Sequence, residues 1–167
     1  MSPSAETPST RRSNVVMFPA GAPDVALGGL GISRALLQRG APTGIDDGTL
    51  HWAIFGVPDG HADSGGDSPP FTLVGDFALH SEGWFVGLTV TAPTYFREPS
   101  TFGNLADDEV NELSHTLGQW ASHLLYDFAA SHARQLVAGT WGCEISIPLL
   151  TPEPLFLDVP RDAGSDA

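Results

Sequence analysis

The sequence predicts an α+β fold, in which one long amphipathic helix and a short C-terminal segment pack on a four-stranded antiparallel sheet. Two observations predict this fold. Residues 106–138 carry apolar side chains at spacings of three and four, which is the period of an α-helix. Upstream of this stretch, apolar and polar residues alternate in segments of strand length. Because the strands come first and the helix follows, the order along the chain is typical of the α+β class.

Four segments are the candidate strands. Residues 32–38 form a short apolar element whose pattern is compatible with a strand or a helix. Residues 50–57 alternate clearly between apolar and other side chains. The clearest pair is 71–79 and 84–96, because both segments alternate over most of their length and residues 80–83 can form the turn between them.

The long helix is predicted from one apolar stripe. Its members are Val110, Leu113, Leu117, Trp120, Leu124, Phe128, His132 and Leu136. Asn104 is the predicted N-cap, residues 107–109 place three carboxylates at the positive end of the helix dipole, and Gly139 is the predicted end. At about 1.5 Å per residue such a helix is about 45–50 Å long. An apolar stripe of that length must pack on a broad sheet, on partner chains, or on both.

The chain divides into three predicted regions. Residues 1–14 are rich in Ser, Thr and Pro, and we expect them to form a disordered tail. Residues 15–159 are predicted to form a single domain, whose last part is an extended segment at 143–150 followed by a short apolar element at 155–157. Residues 160–167 are predicted to form a flexible acidic tail.

Charge and composition exclude several classes of partner. The chain has 167 residues and a net charge of −13, from 20 acidic and 7 basic residues. An excess of acid on this scale argues against nucleic acid and anionic membranes, and favours a basic partner. No apolar run is long enough to span a bilayer. A single cysteine, Cys143, excludes a disulfide framework, so we expect a cytoplasmic protein.

The sequence contains no convincing catalytic or metal-binding motif, and we expect a protein that is not an enzyme and needs no cofactor. Cys143 with His132 is the one pairing of a thiol and a base worth testing, but a lone cysteine after a helix is usually structural. His115, His123 and His132 are eight and nine residues apart on the predicted helix. That spacing separates them by more than the span of one metal ion.

The C-terminal part of the chain carries apolar and aromatic segments in a recognisable order. Residues 124–129 (LLYDFA) begin it, Leu136 and Val137 continue its helix, residues 145–150 (ISIPLL) form an extended apolar segment, and 155–156 (LF) close it. This pattern resembles the C-terminal half of the SecB family of export chaperones. The register holds without a gap from residue 124 to residue 156. Upstream, Tyr95 and Phe96 match the aliphatic–aromatic pair that ends the last strand of that family.

The resemblance implies a SecB-like fold and an ATP-independent holdase, which binds unfolded or preprotein polypeptides in apolar grooves and assembles as a homotetramer. It also implies the motor protein SecA as a possible partner. The acidic strand position of the family falls near Thr89 here, which carries no charge, so a dedicated client such as a toxin–antitoxin pair is the alternative. The residues expected to contact a client are aromatic: Trp84, Phe85, Phe96, Trp120, Tyr126, Phe128 and Trp141.

Two other classes of function are compatible with the same sequence pattern. The first is a phage or assembly structural subunit, whose oligomer-facing helix would carry a similar apolar stripe. The second is a small-molecule binding module, in which the helix and the sheet enclose one pocket.

Overall fold

The computed structural model describes residues 25–40, 42–58, 71–96 and 106–158, which form six strands and one helix. The fold is α+β, as the sequence predicts. The elements in chain order are β1 (Val25–Leu27), β2 (Gly31–Arg39), β3 (Thr49–Pro58), β4 (Phe71–Ser81), β5 (Trp84–Phe96), α1 (Asp107–Ala138) and β6 (Leu155–Phe156). Both predicted tails, 1–14 and 160–167, and the predicted N-cap Asn104 lie outside the described residues.

The sheet has six strands, so the prediction of four strands was wrong. Its order is β1–β5–β4–β3–β6, and β2 also pairs with β5. All pairings are antiparallel except that of β6 with β3. β1 and β2 lie end to end along the same edge of β5, because the chain leaves the ladder between them at residues 28–30. This interruption and the short β6 account for the two additional strands.

The strands β2 to β5 follow a Greek-key order. β3, β4 and β5 are sequential neighbours, whereas β2 lies beside β5 at the far edge. The connection from β2 to β3 crosses the end of the β4–β5 hairpin, where the Gly40 amide donates to the Gly83 carbonyl (2.8 Å) and the Gly48 amide donates to the His80 carbonyl (2.7 Å). The crossing brings β2 to the far edge and leaves β3 at the other side of the sheet.

The β4–β5 hairpin turns more tightly than the sequence predicts. Ser81 pairs with Trp84, so the loop contains only Glu82 and Gly83. Both have positive φ, 54° and 70°, which is the geometry of the two-residue turn that matches the twist of an antiparallel hairpin. The long β4 and β5 therefore run in register from this turn to the opposite end of the sheet.

Helix α1 is continuous over 32 residues, in agreement with the predicted length. The N-cap is Ala106, so the prediction of Asn104 was wrong, and the Ala106 amide donates to the Glu109 carboxylate at 2.9 Å. Gly139 is the C-cap, as predicted. The helix crosses one face of the sheet obliquely, because Gly118 lies against Ile54 of β3 whereas Phe128, ten residues later, lines a cavity with Leu88 of β5.

The C-terminal segment covers the β3 side of the helix. Ile145 and Ile147 are buried, and the Pro148 carbonyl accepts hydrogen bonds from the Tyr126 hydroxyl (3.1 Å) and from Arg134 Nη2 (3.0 Å). β6 then pairs with β3, and the Leu157 amide donates to the Ile54 carbonyl at 3.1 Å. The segment therefore completes the core on one side of α1.

Candidate binding groove

Two rows of residues along α1 pack on the sheet, and we call them the inner rows. In each row the residues are four apart: Val110, Ser114, Gly118, Ser122, Tyr126 and Ala130 in the first, and Leu117, Ala121, Leu125, Ala129 and Ala133 in the second. All are buried. A spacing of four exceeds one helical turn by about 40°. The contact surface therefore rotates around the helix axis as the helix passes over the twisted sheet.

Small side chains bring the helix close to the sheet at the inner rows. A Cβ added to Gly118 would lie 2.7 Å from Phe156 and 3.0 Å from Ile54. On the facing strand, a Cβ added to Gly56 would overlap Phe71 and Ser114. At these two positions a larger side chain would not fit between α1 and the sheet.

A third row of α1 is apolar but is not covered by the sheet, and we call it the outer row. It consists of Trp120, Leu124, Phe128, His132 and Leu136. Trp120 and Leu124 are 38% and 49% exposed, and the other three are half-buried. The sequence prediction placed this row in the same stripe as Val110 and Leu117, which are buried. The structure separates the predicted stripe into a part that packs on the sheet and a part that reaches the surface.

The C-terminal half of the outer row forms one wall of a groove whose opposite wall is β2. The groove has a volume of about 490 Å³. Its lining residues are Leu30, Gly31, Ile32, Ala35, Leu88, Phe128, His132, Gln135 and Leu136. The groove exists because a helix about 10 Å wide covers about two strands spaced about 4.8 Å apart, and this sheet is wider than that. The C-terminal segment covers the β3 side, whereas no segment of the described ranges covers the β2 side.

β2 borders the groove with an unpaired edge. Within the described part of the chain, β2 pairs with β5 and with no other strand. Its nine residues therefore present main-chain N–H and C=O groups along one edge. Residues 33–36 are exposed. An edge of this kind accepts an additional strand in the peptide-binding domains that work by strand addition.

His132 is a polar side chain in the wall of the groove, and a hydrogen bond fixes its orientation. The Nδ1 atom of His132 lies 2.9 Å from the Phe128 carbonyl oxygen, and the imidazole packs on the Phe128 ring with centroids 4.4 Å apart. Gln135 contributes the second polar group. The other lining residues carry no polar side chain, so the groove is an apolar channel with one polar corner.

A second, more polar cavity of about 380 Å³ lies between α1 and the C-terminal segment. His123 Nδ1 and Thr151 Oγ1 are 2.8 Å apart there, and Ser122 and Glu153 also line the cavity. Ser122 Oγ already accepts a hydrogen bond from Trp52 Nε1 at 3.3 Å. The side chains at this site therefore hold the C-terminal segment in place on the helix.

The aromatic residues predicted to contact a client occupy several different environments. Trp120 and Phe128 lie on the outer row, and Trp141, which is 97% exposed, follows the end of α1. Trp84 is half-buried under Arg39, whose guanidinium carbon lies 5.1 Å from the ring centroid, and Phe96 is half-buried beside β1. The structure brings only Phe128 to the groove.

Tyr126 and Phe85, in contrast, are buried. The Tyr126 ring is fully buried, 5.5 Å from Trp52 and 5.9 Å from Phe77 between centroids. Burial raises the pKa of its hydroxyl above the ordinary value of 10.0, Arg134 opposes this rise and Asp127 adds to it. Phe85 is buried on the face of the sheet opposite α1. Neither side chain reaches a surface that a client could contact.

Sequence reasoning missed the β2 wall of the groove, namely Leu30, Ile32 and Ala35. Their apolar character was visible, but the short element at 32–38 gave no indication of which strand it joins. Among the residues that the structure describes, no three His, Cys, Asp or Glu side chains cluster as a metal site would require. No helix in the described ranges has the length and apolarity needed to cross a membrane.

Comparisons with known proteins give no family for this chain. No protein-family model matches it, and no curated protein matches it. A solved structure, that of a protein of unknown function from Streptococcus agalactiae, is similar over 66% of this chain and 90% of its own, with 13% sequence identity and a TM-score of 0.30. A likeness at this level carries no argument about function. The resemblance to the SecB family stays a prediction from the sequence.

Proposed function

We propose that this protein is an ATP-independent holdase of the SecB-like kind, which binds extended apolar segments of unfolded polypeptides in the groove between β2 and α1. The observation that carries the proposal is the outer row of α1. Phe128 and Leu136 pack against the margin of the core without being fully buried, and Trp120 and Leu124 are 38% and 49% exposed. Exposed apolar surface next to a groove is typical of a binding site rather than of a solvated helix face.

The shape of the site favours a polypeptide over a compact ligand. The groove lies alongside β2, a strand of nine residues whose edge away from β5 pairs with no other strand among the described residues. A strand added to that edge would direct alternate side chains toward the groove. The net charge of −13 favours basic clients and keeps an apolar surface dispersed in solution.

Self-association belongs to the same proposal. Several large apolar side chains of the C-terminal part are exposed: Trp141, Leu149, Leu150, Leu155 and Leu157. They lie outside the groove, and together they expose more apolar surface than is usual for a solvated segment. We propose that they form contacts between subunits of a cytoplasmic homo-oligomer, such as a tetramer. SecA as a partner, or a dedicated client, is proposed from the resemblance alone.

Small-molecule binding is the second candidate function. The groove volume of about 490 Å³ lies in the range of small-ligand pockets, and its few polar groups converge at one corner. Such a ligand would bind one to one, would not suppress aggregation, and would not depend on the β2 edge. The two functions therefore differ in a direct assay.

The test is suppression of aggregation of a chemically denatured client protein, measured by light scattering at stoichiometric amounts. We expect the wild-type chain to suppress aggregation and the Leu124→Ser, Phe128→Ser double variant to lose at least about half of that effect, because two large apolar contacts are removed. The matched control is Gln119→Ser with Ser131→Ala, two exposed positions on the polar side of α1. Circular dichroism confirms that each variant is folded.

Two results would contradict the proposal. One is a wild-type chain that leaves the scattering unchanged at a fourfold excess. The other is equal activity of the double variant and the control, which would mean that suppression does not depend on the outer row.

A further inference from the structure

The two faces of β2 differ in chemistry. Ala35 pairs with Leu88 of β5, which also lines the groove, and Ile32 lies on the same face. Arg34 and Leu36 lie on the opposite face, because side chains alternate along a strand. A strand added to the outer edge of β2 would form its main-chain hydrogen bonds in the plane of the sheet. Its side chains would meet an apolar groove on one face and Arg34 on the other.

The spacing of residues along the α1 wall fits alternate side chains of such a strand. Phe128, His132 and Leu136 are four residues apart, which is about 6 Å along a helix axis. Alternate residues of a strand are about 6.8 Å apart. The wall therefore spans about 12 Å, which is enough for about three alternate side chains of a segment of about five residues.

The chain holds one of its own segments in a similar way on the other side of α1. In residues 143–147 (CEISI), Ile145 and Ile147 are buried, whereas Glu144 and Ser146 between them are exposed. Farther along the same segment, β6 adds to the edge of β3. The fold therefore accommodates, beside its helix, a segment in which buried apolar residues alternate with polar ones, one of them acidic.

Arg34 gives the outer face of β2 a positive charge, and β2 carries no acidic residue. Its Nη2 atom lies 3.5 Å from Asp76 Oδ1, an oxygen that accepts a shorter hydrogen bond from the Thr89 hydroxyl (2.7 Å). The Arg34 side chain is 65% exposed, and a guanidinium has five N–H donors. A carboxylate on an added strand would lie within reach, because cross-strand neighbours have Cβ atoms about 5 Å apart.

We propose that the groove selects amphipathic β-strand segments of about five residues, with apolar side chains at alternate positions facing the groove and acidic side chains at the intervening positions facing Arg34. This inference rests on the proposed function and names the substrate class of the same site. The net charge of −13 acts on a whole client at long range, whereas Arg34 acts on one position in contact.

The experiment measures the dissociation constants of three labelled peptides by fluorescence anisotropy. All have capped ends and Gly-Ser flanks. The first peptide contains Ile-Glu-Leu-Glu-Val, the second contains the same residues as Ile-Leu-Val-Glu-Glu, and the third contains Ile-Gln-Leu-Gln-Val. We expect the first to bind about tenfold more tightly than the second, because the contiguous order turns at least one apolar side chain away from the groove.

Two adjacent substitutions on β2 test which face of the strand is used. Ala35 and Leu36 are both exposed but lie on opposite faces. With the neutral third peptide, we expect Ala35→Glu to weaken binding at least about tenfold, because its carboxylate would lose water in the occupied groove. Leu36→Glu should weaken binding less than about threefold, because its side chain faces away from the groove. Circular dichroism confirms that both variants are folded.

A double-mutant cycle isolates the contact at Arg34. Its two changes are Arg34→Gln in the protein and the exchange of Glu for Gln between the first and third peptides. We expect Arg34→Gln to weaken binding of the first peptide about threefold more than that of the third. The cycle cancels most of the long-range effect of net charge, because that effect is nearly the same before and after one substitution.

The outcomes distinguish this inference from the proposed function. Equal affinities of the first and second peptides, or equal effects of Ala35→Glu and Leu36→Glu, overturn the alternating pattern. A cycle without coupling overturns the acidic positions next to Arg34. Absence of peptide binding in a chain that still suppresses client aggregation overturns this inference alone, whereas absence of both activities overturns the proposed function as well.

Discussion

The inner rows and the outer row of α1 belong to one helix and are both apolar, but they differ in side-chain size. The inner rows consist largely of Gly, Ala and Ser, together with larger buried residues such as Leu125 and Tyr126. The outer row carries Trp120, Leu124 and Phe128. Small side chains allow close approach of helix and sheet, so they decide which side of the helix forms the core. The large side chains of the outer row lie at the margin of the core, where Leu124 is 49% exposed.

The strongest test of this comparison uses two adjacent leucines. Leu125 is fully buried, whereas Leu124 is 49% exposed. We expect Leu125→Ala to lower the free energy of unfolding by about 3 kcal/mol, since it removes buried methyl groups and leaves a cavity. Leu124→Ala should lower it by less than about 1 kcal/mol. Urea denaturation followed by tryptophan fluorescence measures both.

The two variants should rank in the opposite order when they are compared by their loss of holdase activity. Leu124→Ala should weaken the suppression of client aggregation more than Leu125→Ala does, when each is assayed at a temperature where it is folded. Equal destabilisation by the two substitutions would mean that the outer row is part of the core, and the comparison would fail.

A second test enlarges a side chain on each side of the helix. Ala129 is fully buried in an inner row, and Ser131 is exposed on the polar side two residues later. We expect Ala129→Leu to destabilise the protein by about 2 kcal/mol, because three additional carbon atoms must enter a closely packed interface. Ser131→Leu should change stability by less than about 0.5 kcal/mol. A melting temperature for Ala129→Leu equal to that of the wild type would contradict close packing at the inner rows.

The smallest expected effect concerns the hydroxyl of Tyr126. It donates to the Pro148 carbonyl at 3.1 Å, so Tyr126→Phe should cost about 1 kcal/mol at pH 7. Burial raises the pKa of Tyr126, so the folded state holds this proton more tightly than the unfolded state, in which the pKa is near 10.0. The resulting stability is present below pH 10 and is lost as the pH rises through the raised folded value.

The same pH argument provides the control for this substitution. Above pH 10 the free energy of unfolding should fall more steeply with pH for the wild type than for Tyr126→Phe, in parallel urea titrations. Identical slopes would show that Tyr126 does not titrate differently in the two states.

The elements with a long and regular pattern were predictable from the sequence. α1 begins and ends within one residue of its predicted bounds, and β5 has the predicted bounds, 84–96. β2 could not be assigned because a register shift between Ile32 and Arg34 breaks the alternation on which strand prediction depends. β6 was predicted only as a short apolar element, since its pairing of Leu155 with Ala53 depends on contacts distant in the chain.

The candidate site was less predictable than the fold. Hydrophobicity predicts one stripe that contains Leu117, Trp120 and Leu124. In the structure Leu117 is buried against the sheet, whereas Trp120 and Leu124 are exposed. Their common period of three and four residues fits both arrangements. Tyr126 was chosen for its aromatic ring, but its hydroxyl has a partner on the C-terminal segment that the sequence does not reveal. The β2 wall requires the Greek-key crossing, which only the tertiary structure shows.

The parallel pairing of β6 with β3 gives the chain an order of assembly during its synthesis. β3 is complete at residue 58, but its outer neighbour begins at residue 155. At a translation rate of about 5–20 residues per second, β3 is made several seconds before β6 can join it. Throughout that interval the edge of β3 is open to other strands, so the growing polypeptide is itself exposed to aggregation until its last element emerges.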